Sequence, residues 1–346
     1  MSRKLLSYTA IGLILGSTAI ADVPKVAVDI APVHSLVARV MDGVGSPKLV
    51  IPAGASPHEY SLRPSEAKSL QDADMVIWIG EDLAPWMENS IETLSKNAEV
   101  ITLLKESETK LLEFREGALF EEHDHGDHDD HDDHDDHDKE HDDHDDHDDH
   151  DDHDDHDEHD DHDEHDDHGD HDDHAHGEHD PHAWLSIENA QTWLNLVAGK
   201  LSAADPDNAG VYFANAAAAR EEINDLVKDV NSILEPVRGR NFVVFHDAYQ
   251  YFETSFNFPA AGAISLGDAT DPSAARIAEI QGRVKDEGIN CVLSEPQYNA
   301  NLVATVLSGT DAKTGVIDPL GLGLEPGPKL YGDLIRNMAK ALAGCL

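Results

Sequence analysis

From Glu121 to His182 the chain repeats Asp-Asp-His almost without interruption. Imidazoles and carboxylates are the side chains that bind divalent transition metals in water, and here they alternate on a backbone with almost no apolar residues to bury. Between Glu121 and Asp180 stand 35 acidic residues and the single Lys139, which together supply −34 of the formal net charge of −47. The acidity is therefore local rather than a property of the whole surface. A solvated spacer would need only Asp or Glu; the regular His points to metal capture, with His123, His125, His128, His131, His174, His176 and His179 as auxiliary ligands. Nucleic acid and anionic membrane are disfavoured as partners by the sign of the charge.

Three further histidines stand alone in loop or strand-end positions. His58 lies in Gly54-Ala55-Ser56-Pro57-His58-Glu59-Tyr60, His182 in Asp180-Pro181-His182-Ala183-Trp184-Leu185, and His246 ends the run Phe242-Val243-Val244-Phe245-His246-Asp247. Any one of them would read as an ordinary hydrogen-bonded residue, but three beside a metal-capturing tract read as ligands. His34, at the start of a helix and matched by no second feature, is expected to be structural. Asp318, in Val316-Ile317-Asp318-Pro319-Leu320-Gly321, could add a carboxylate ligand or serve the turn before Pro319.

The elements that must position these residues alternate between strand and helix signals. Strands are expected at Val26 to Asp29, Lys48 to Ile51, Met75 to Ile79 and Glu99 to Leu103, with helices near Val33 to Met41, Pro64 to Asp72 and Pro85 to Lys96. This βαβ rhythm favours a parallel sheet. Ser186 is a candidate N-cap for a helix running to about Ala203. From Ala209 to Glu235 no Pro interrupts a helical spacing of Ile223, Leu226, Val227, Val230, Ile233 and Leu234, and the segment would extend about 40 Å. Alternation then resumes with strands at Phe242 to Phe245, Cys291 to Ser294 and Gly315 to Ile317. Helices are expected near Ser273 to Glu287, Leu302 to Leu307 and Lys329 to Leu346. The fold class is thus α/β, two parallel-sheet lobes joined by one long rigid helix, with a disordered His/Asp-rich insertion in the first lobe. The divisions are 1–21 (leader), 22–206 (first lobe, including the 121–180 loop), 207–236 (linking helix) and 237–346 (second lobe). In such open sheets ligands bind beyond the carboxyl ends of the strands, where the three histidines fall.

Arg3 and Lys4, a short apolar stretch around Leu13 to Leu15, and Ala19-Ile20-Ala21 have the form of an export signal with cleavage after Ala21. No later run approaches the ~20 apolar residues that span a bilayer. The only cysteines, Cys291 and Cys345, are in an exported chain most simply a disulfide that pins the last helix to the second sheet.

On Gly54 to Pro64, the His-rich insertion, Pro181 to Ser186, Phe245-His246-Asp247-Ala248-Tyr249, Glu295-Pro296-Gln297, Asp318-Pro319-Leu320-Gly321 and the two cysteines, the chain resembles the zinc-binding, ZnuA-type solute-binding proteins of bacterial ABC transporters. The resemblance runs from about Val26 to the C-terminus. It implies a periplasmic carrier, a zinc ion held by His58, His182 and His246, and a membrane permease as partner, with room for a periplasmic zinc metallochaperone and a monomeric state. Related manganese binders carry a carboxylate at the position of His246; an imidazole there suits zinc. Some zinc-binding relatives have a Glu ligand just before the first His, where this chain has Pro57, so the fourth ligand stays open between Asp318 and a water, with Glu59 behind them. Two other classes compete. A three-His site with a bound water also serves hydrolases, with Glu59 as the conceivable base, but no His-Glu-x-x-His helix, nucleophile elbow or phosphate loop accompanies it. A zinc buffer without a transporter would need only the tract and leaves the separate three-His set unexplained. The chain is therefore expected not to be an enzyme.

Overall fold

The structure is a computed structural model that describes residues 23–115, 179–265, 273–298 and 300–346. The leader over residues 1–21 and the auxiliary histidines His123, His125, His128, His131, His174 and His176 lie outside the described residues. In the first lobe β1 (Val26–Val28), α1 (Ala31–Val40), β2 (Lys48–Leu49), α2 (Pro64–Gln71), β3 (Met75–Trp78), α3 (Pro85–Leu94) and β4 (Glu99–Thr102) alternate. The sheet is wholly parallel in the order β2-β1-β3-β4, with Val26 opposite Met75 and Ile77 opposite Ile101. β1 and β3 are buried at every residue, because a parallel sheet covered by helices leaves neither face wet.

α4 (Ile187–Ala204) follows, capped by the Ser186 hydroxyl, which accepts the Asn189 N–H at 3.2 Å. α5 (Ala209–Leu234) is the long helix. Its buried stripe of Tyr212, Ala216, Ala219, Ile223, Leu226, Val230 and Leu234 steps by three or four residues and packs against α1 and α4.

The second lobe runs β5 (Phe242–His246), α6 (Gln250–Phe256), β6 (Gly262–Ser265), α7 (Ala274–Asp286), β7 (Cys291–Ser294), α8 (Ala300–Val306), β8 (Lys313–Val316) and α9 (Leu330–Cys345). Its parallel sheet has the order β6-β5-β7-β8, the same pattern as the first. Along β5 the side chains divide by the two-residue period of a strand. Phe242 and Val244 enter a core that runs through both lobes by way of α1, α4, α5 and α9, while Val243 and Phe245 enter a smaller one with Ile280, Val284 and Val292. α5 is therefore not a free strut but one wall of a core common to both lobes. The expected disulfide is present, with Cys291 on β7 and Cys345 on α9 at a Cα–Cα distance of 5.7 Å.

Two elements fall outside the sequence expectations, α6 and β6. α6 is only seven residues, rich in aromatic and β-branched side chains with weak helix preference, and β6 is a four-residue strand opened by Gly262. Most strands stop one or two residues before their apolar runs do. Val28 gives way to Asp29, whose carboxylate accepts the N–H groups of Ile30 and Ile79, both at 2.7 Å, and so ties the end of β1 to the end of β3.

Candidate metal centre

His246 is the last residue of β5 and is buried, and its ring is held on three sides. Nδ1 lies 2.5 Å from Oε1 of Glu295, the first residue beyond β7. Tyr298 stands with its ring centroid 5.3 Å away and is itself stacked on Phe245, and Tyr249 lies at 6.2 Å. His182 is equally buried and is oriented locally. Asp180 Oδ1 takes both the His182 backbone N–H, at 2.9 Å, and its Nδ1, at 2.7 Å.

A carboxylate only accepts, so in each ring Nδ1 is assigned as the protonated nitrogen, and a neutral imidazole then carries its lone pair at Nε2. The two Nε2 atoms face each other at 3.4 Å. Two lone pairs do not attract, whereas two nitrogens each 2.0–2.1 Å from a tetrahedral zinc lie about 3.3–3.4 Å apart. The spacing of the pair is that of two corners of a zinc tetrahedron.

His58 supplies the third imidazole, with its ring centroid 5.6 Å from that of His182, against 5.3 Å between His182 and His246. Its loop is fastened by Trp86, whose indole N–H donates to Pro57 O at 2.8 Å, and by Glu66, which accepts both the Tyr60 hydroxyl and the Arg63 N–H. Among the described residues no three His, Cys, Asp or Glu side chains already close on one point as a complete metal site. His182 and His246 form the close pair, with the His58 ring beside His182. The three imidazoles, with Glu295, Gln297, Tyr298, Trp184 and Pro319, line a cavity of about 20 Å³, room for one water-sized body.

The other candidates fall elsewhere. Asp318 is not in the lining of this cavity; its Oδ1 accepts the N–H groups of Leu320 and Gly321, both at 3.0 Å, which is the turn-forming role. Pro319, the next residue, does reach the cavity and accepts the Trp184 indole N–H at 2.9 Å. Glu59 is exposed and does not line the cavity. His34 is buried with Nε2 3.2 Å from Pro47 O, and burial pushes its pKa down, as a structural histidine requires. His179 pairs with Glu113 in an antiparallel bridge and leaves Nδ1 buried without a hydrogen-bond partner among the described residues.

That bridge joins the described residues on either side of the repeat tract. Asp180 N–H donates to Leu112 O at 2.9 Å, and the Tyr251 hydroxyl accepts from Leu112 N–H and donates to Asp180 O. Arg115, the last described residue before the tract, forks between Asp247 and Glu253, its Nε 2.9 Å from Asp247 Oδ2 and its Nη1 2.8 Å from Glu253 Oε2. Burial raises both carboxyl pKa values, and the guanidinium opposes that rise. Reading for metal ligands alone overlooks Asp180, Glu295, Gln297 and the Arg115 cluster. A usable signal was the carboxylate two residues before His182.

Two parallel sheets of one topology, bridged by a long helix and carrying imidazoles at the carboxyl ends of their strands, define a solute-binding protein of the metal-binding kind. The family model for the zinc-uptake complex component A, periplasmic (ZnuA), matches residues 26–345. High-affinity zinc uptake system protein ZnuA of Paracoccus denitrificans is 46% identical over 336 residues, covering 96% of this chain and 95% of the relative. Its counterpart in Brucella abortus is 44% identical over 331 residues, at 96% and 94% coverage. Among solved structures, a crystal structure of ZnuA superposes with TM-score 0.67 at 18% identity, covering 94% of this chain and 99% of that one. The Zn(II)-bound ZnuA-like domain of Streptococcus pneumoniae AdcA gives 0.62 at 23% identity, covering 93% and 98%, and both support the fold. The chain belongs to the ZnuA family.

Proposed function

We propose that the chain captures zinc in the periplasm through His58, His182 and His246 and hands it to the membrane permease of an ABC-type zinc importer. The relatives just named are zinc uptake proteins, and the observation that carries the reading to these residues is the 3.4 Å Nε2–Nε2 pair with each Nδ1 engaged by a carboxylate. Zinc is the cargo here, and three neutral nitrogens with one exchangeable position suit an ion that must also be surrendered. A cavity of about 20 Å³ lined by three imidazoles suits a single ion, which supports a carrier. The tract would raise capture when zinc is scarce, through many weak contacts near the cleft. Processing after Ala21, a monomeric state and loading by a periplasmic zinc metallochaperone belong to the same reading.

The test is zinc titration of His58→Ala, His182→Ala and His246→Ala in a chain lacking Glu121 to Glu178, so that the tract does not mask the result. Each variant should lose more than the roughly hundredfold affinity typical of outer-shell changes, while His34→Ala should bind as the parent does. Unchanged affinity in any of the three variants removes that residue from the site.

A further inference from the structure

Gln297 lines the same cavity as the three imidazoles, and it is the polar group there with no partner of its own. Although the residue as a whole is half-buried, its Nε2 and Oε1 are both shielded from solvent and neither has a hydrogen-bond partner among the described residues. Buried amides are almost always paired, and one with both ends open costs stability unless something outside the protein's own groups engages it. The surrounding turn fixes where the amide sits. Tyr298 N–H donates to Glu295 O at 3.2 Å, closing Glu295 to Tyr298 into one turn beyond β7. One residue of that turn orients His246, the next but one presents Gln297 to the cavity, and Tyr298 packs on both His246 and Phe245.

The competing candidate for the fourth position, Asp318, has its Oδ1 committed to two backbone N–H groups and does not line the cavity. Three imidazoles on zinc leave one coordination position, commonly a water, and such a water is a strong hydrogen-bond donor. We propose that Gln297 is a positioning residue for the bound ion: its Oε1 accepts a hydrogen bond from a water completing the zinc tetrahedron. An amide suits this place because it accepts without adding a charge, so the ion's release does not strand a carboxylate in the cavity. This inference rests on the zinc-binding reading above.

The test places Gln297→Leu and Gln297→Glu in the chain lacking Glu121 to Glu178 and compares them with that parent, using chelator competition for zinc, stopped-flow release, visible spectra at one equivalent of Co(II), and thermal unfolding without metal. Gln297→Leu should bind zinc roughly tenfold to a hundredfold more weakly, release it faster and shift the Co(II) bands. Its metal-free unfolding midpoint should be equal to or above the parent's, because an unpaired amide has been removed. Gln297→Glu, which keeps an acceptor, should regain most of the affinity. Parental affinity and parental Co(II) bands in Gln297→Leu would overturn the proposal. So would a lowered metal-free midpoint with no rescue by Glu, the signature of a merely structural amide. If the parent lacking Glu121 to Glu178 itself takes up no zinc at one equivalent, the function reading falls as well, a result separable from failure at Gln297 alone.

Discussion

The two lobes share one strand order, yet they use the same place in it for opposite purposes. Asp29 follows β1 and bonds to Ile79, the first residue beyond β3; His246 ends β5 and bonds to Glu295, the first residue beyond β7. In the first lobe the side chain accepts from backbone, both oxygens are spent, and the strand ends are locked. In the second lobe the side chain meets another side chain through Nδ1 alone, and Nε2 is turned outward toward His182. The position itself is neutral between structure and function. What decides is whether the residue placed there has a second polar atom left over after the strands are tied.

The largest expected difference between the lobes is in their covalent bracing. Among the described residues the only disulfide, Cys291–Cys345, lies in the second lobe and closes a loop of sequence separation 54. A paired Cys→Ala replacement should lower unfolding stability by about 4 kcal/mol on the chain-entropy model, measured by urea denaturation, while leaving zinc affinity near the parental value. A large loss of zinc binding instead would mean that the brace also sets the site.

Next comes the His246 partner. Glu295→Gln keeps the shape but can present an N–H to Nδ1, which permits the wrong tautomer, and should cost tenfold to a hundredfold in zinc affinity, or about 1.4–2.7 kcal/mol. Its metal-free fold should be intact by circular dichroism. If the affinity is untouched, the carboxylate does not select the tautomer.

A further difference is a pH dependence from Asp29. Burial raises its pKa from 3.8 to about 7, so the folded chain holds a proton that the unfolded chain gives up. The stability it contributes is fully present below about pH 4 and drains away as pH rises through 7, at most about 1.4 kcal/mol per pH unit. Asp29→Asn cannot titrate, and it also loses an acceptor for a backbone N–H. The variant should therefore be less stable than the parent at low pH, and the gap should narrow between pH 5 and 8 in thermal melts. A constant gap would show that Asp29 is ionised throughout.

Much of this was legible in the residues. Apolar runs bounded by Pro and Gly fixed the strands and most helices, because a sheet buried on both faces needs continuous hydrophobic segments. The long helix was visible in its unbroken spacing, and Ser186 as a cap in its residue type. α6 hid because Tyr251, Phe252, Thr254 and Phe256 carry no helix preference and are helical only through tertiary packing. Of the site, the three histidines could be chosen by their isolation at strand and loop ends. Glu295 could not be assigned to His246, since 49 residues separate them and only the pairing of β5 with β7 brings them together. Gln297 was hidden for another reason. An amide beside a Pro looks like a turn residue until its surroundings show that nothing pairs with it.

The bridge between Glu113 and His179 has a consequence for inheritance. Glu113 and His179 are joined across the tract by this bridge, three residues before His182. Triplets of Asp-Asp-His can be duplicated or deleted between those two residues without altering either of them or the carboxylate that orients His182. A change in repeat number thus leaves the fastened residues beside the cleft in place.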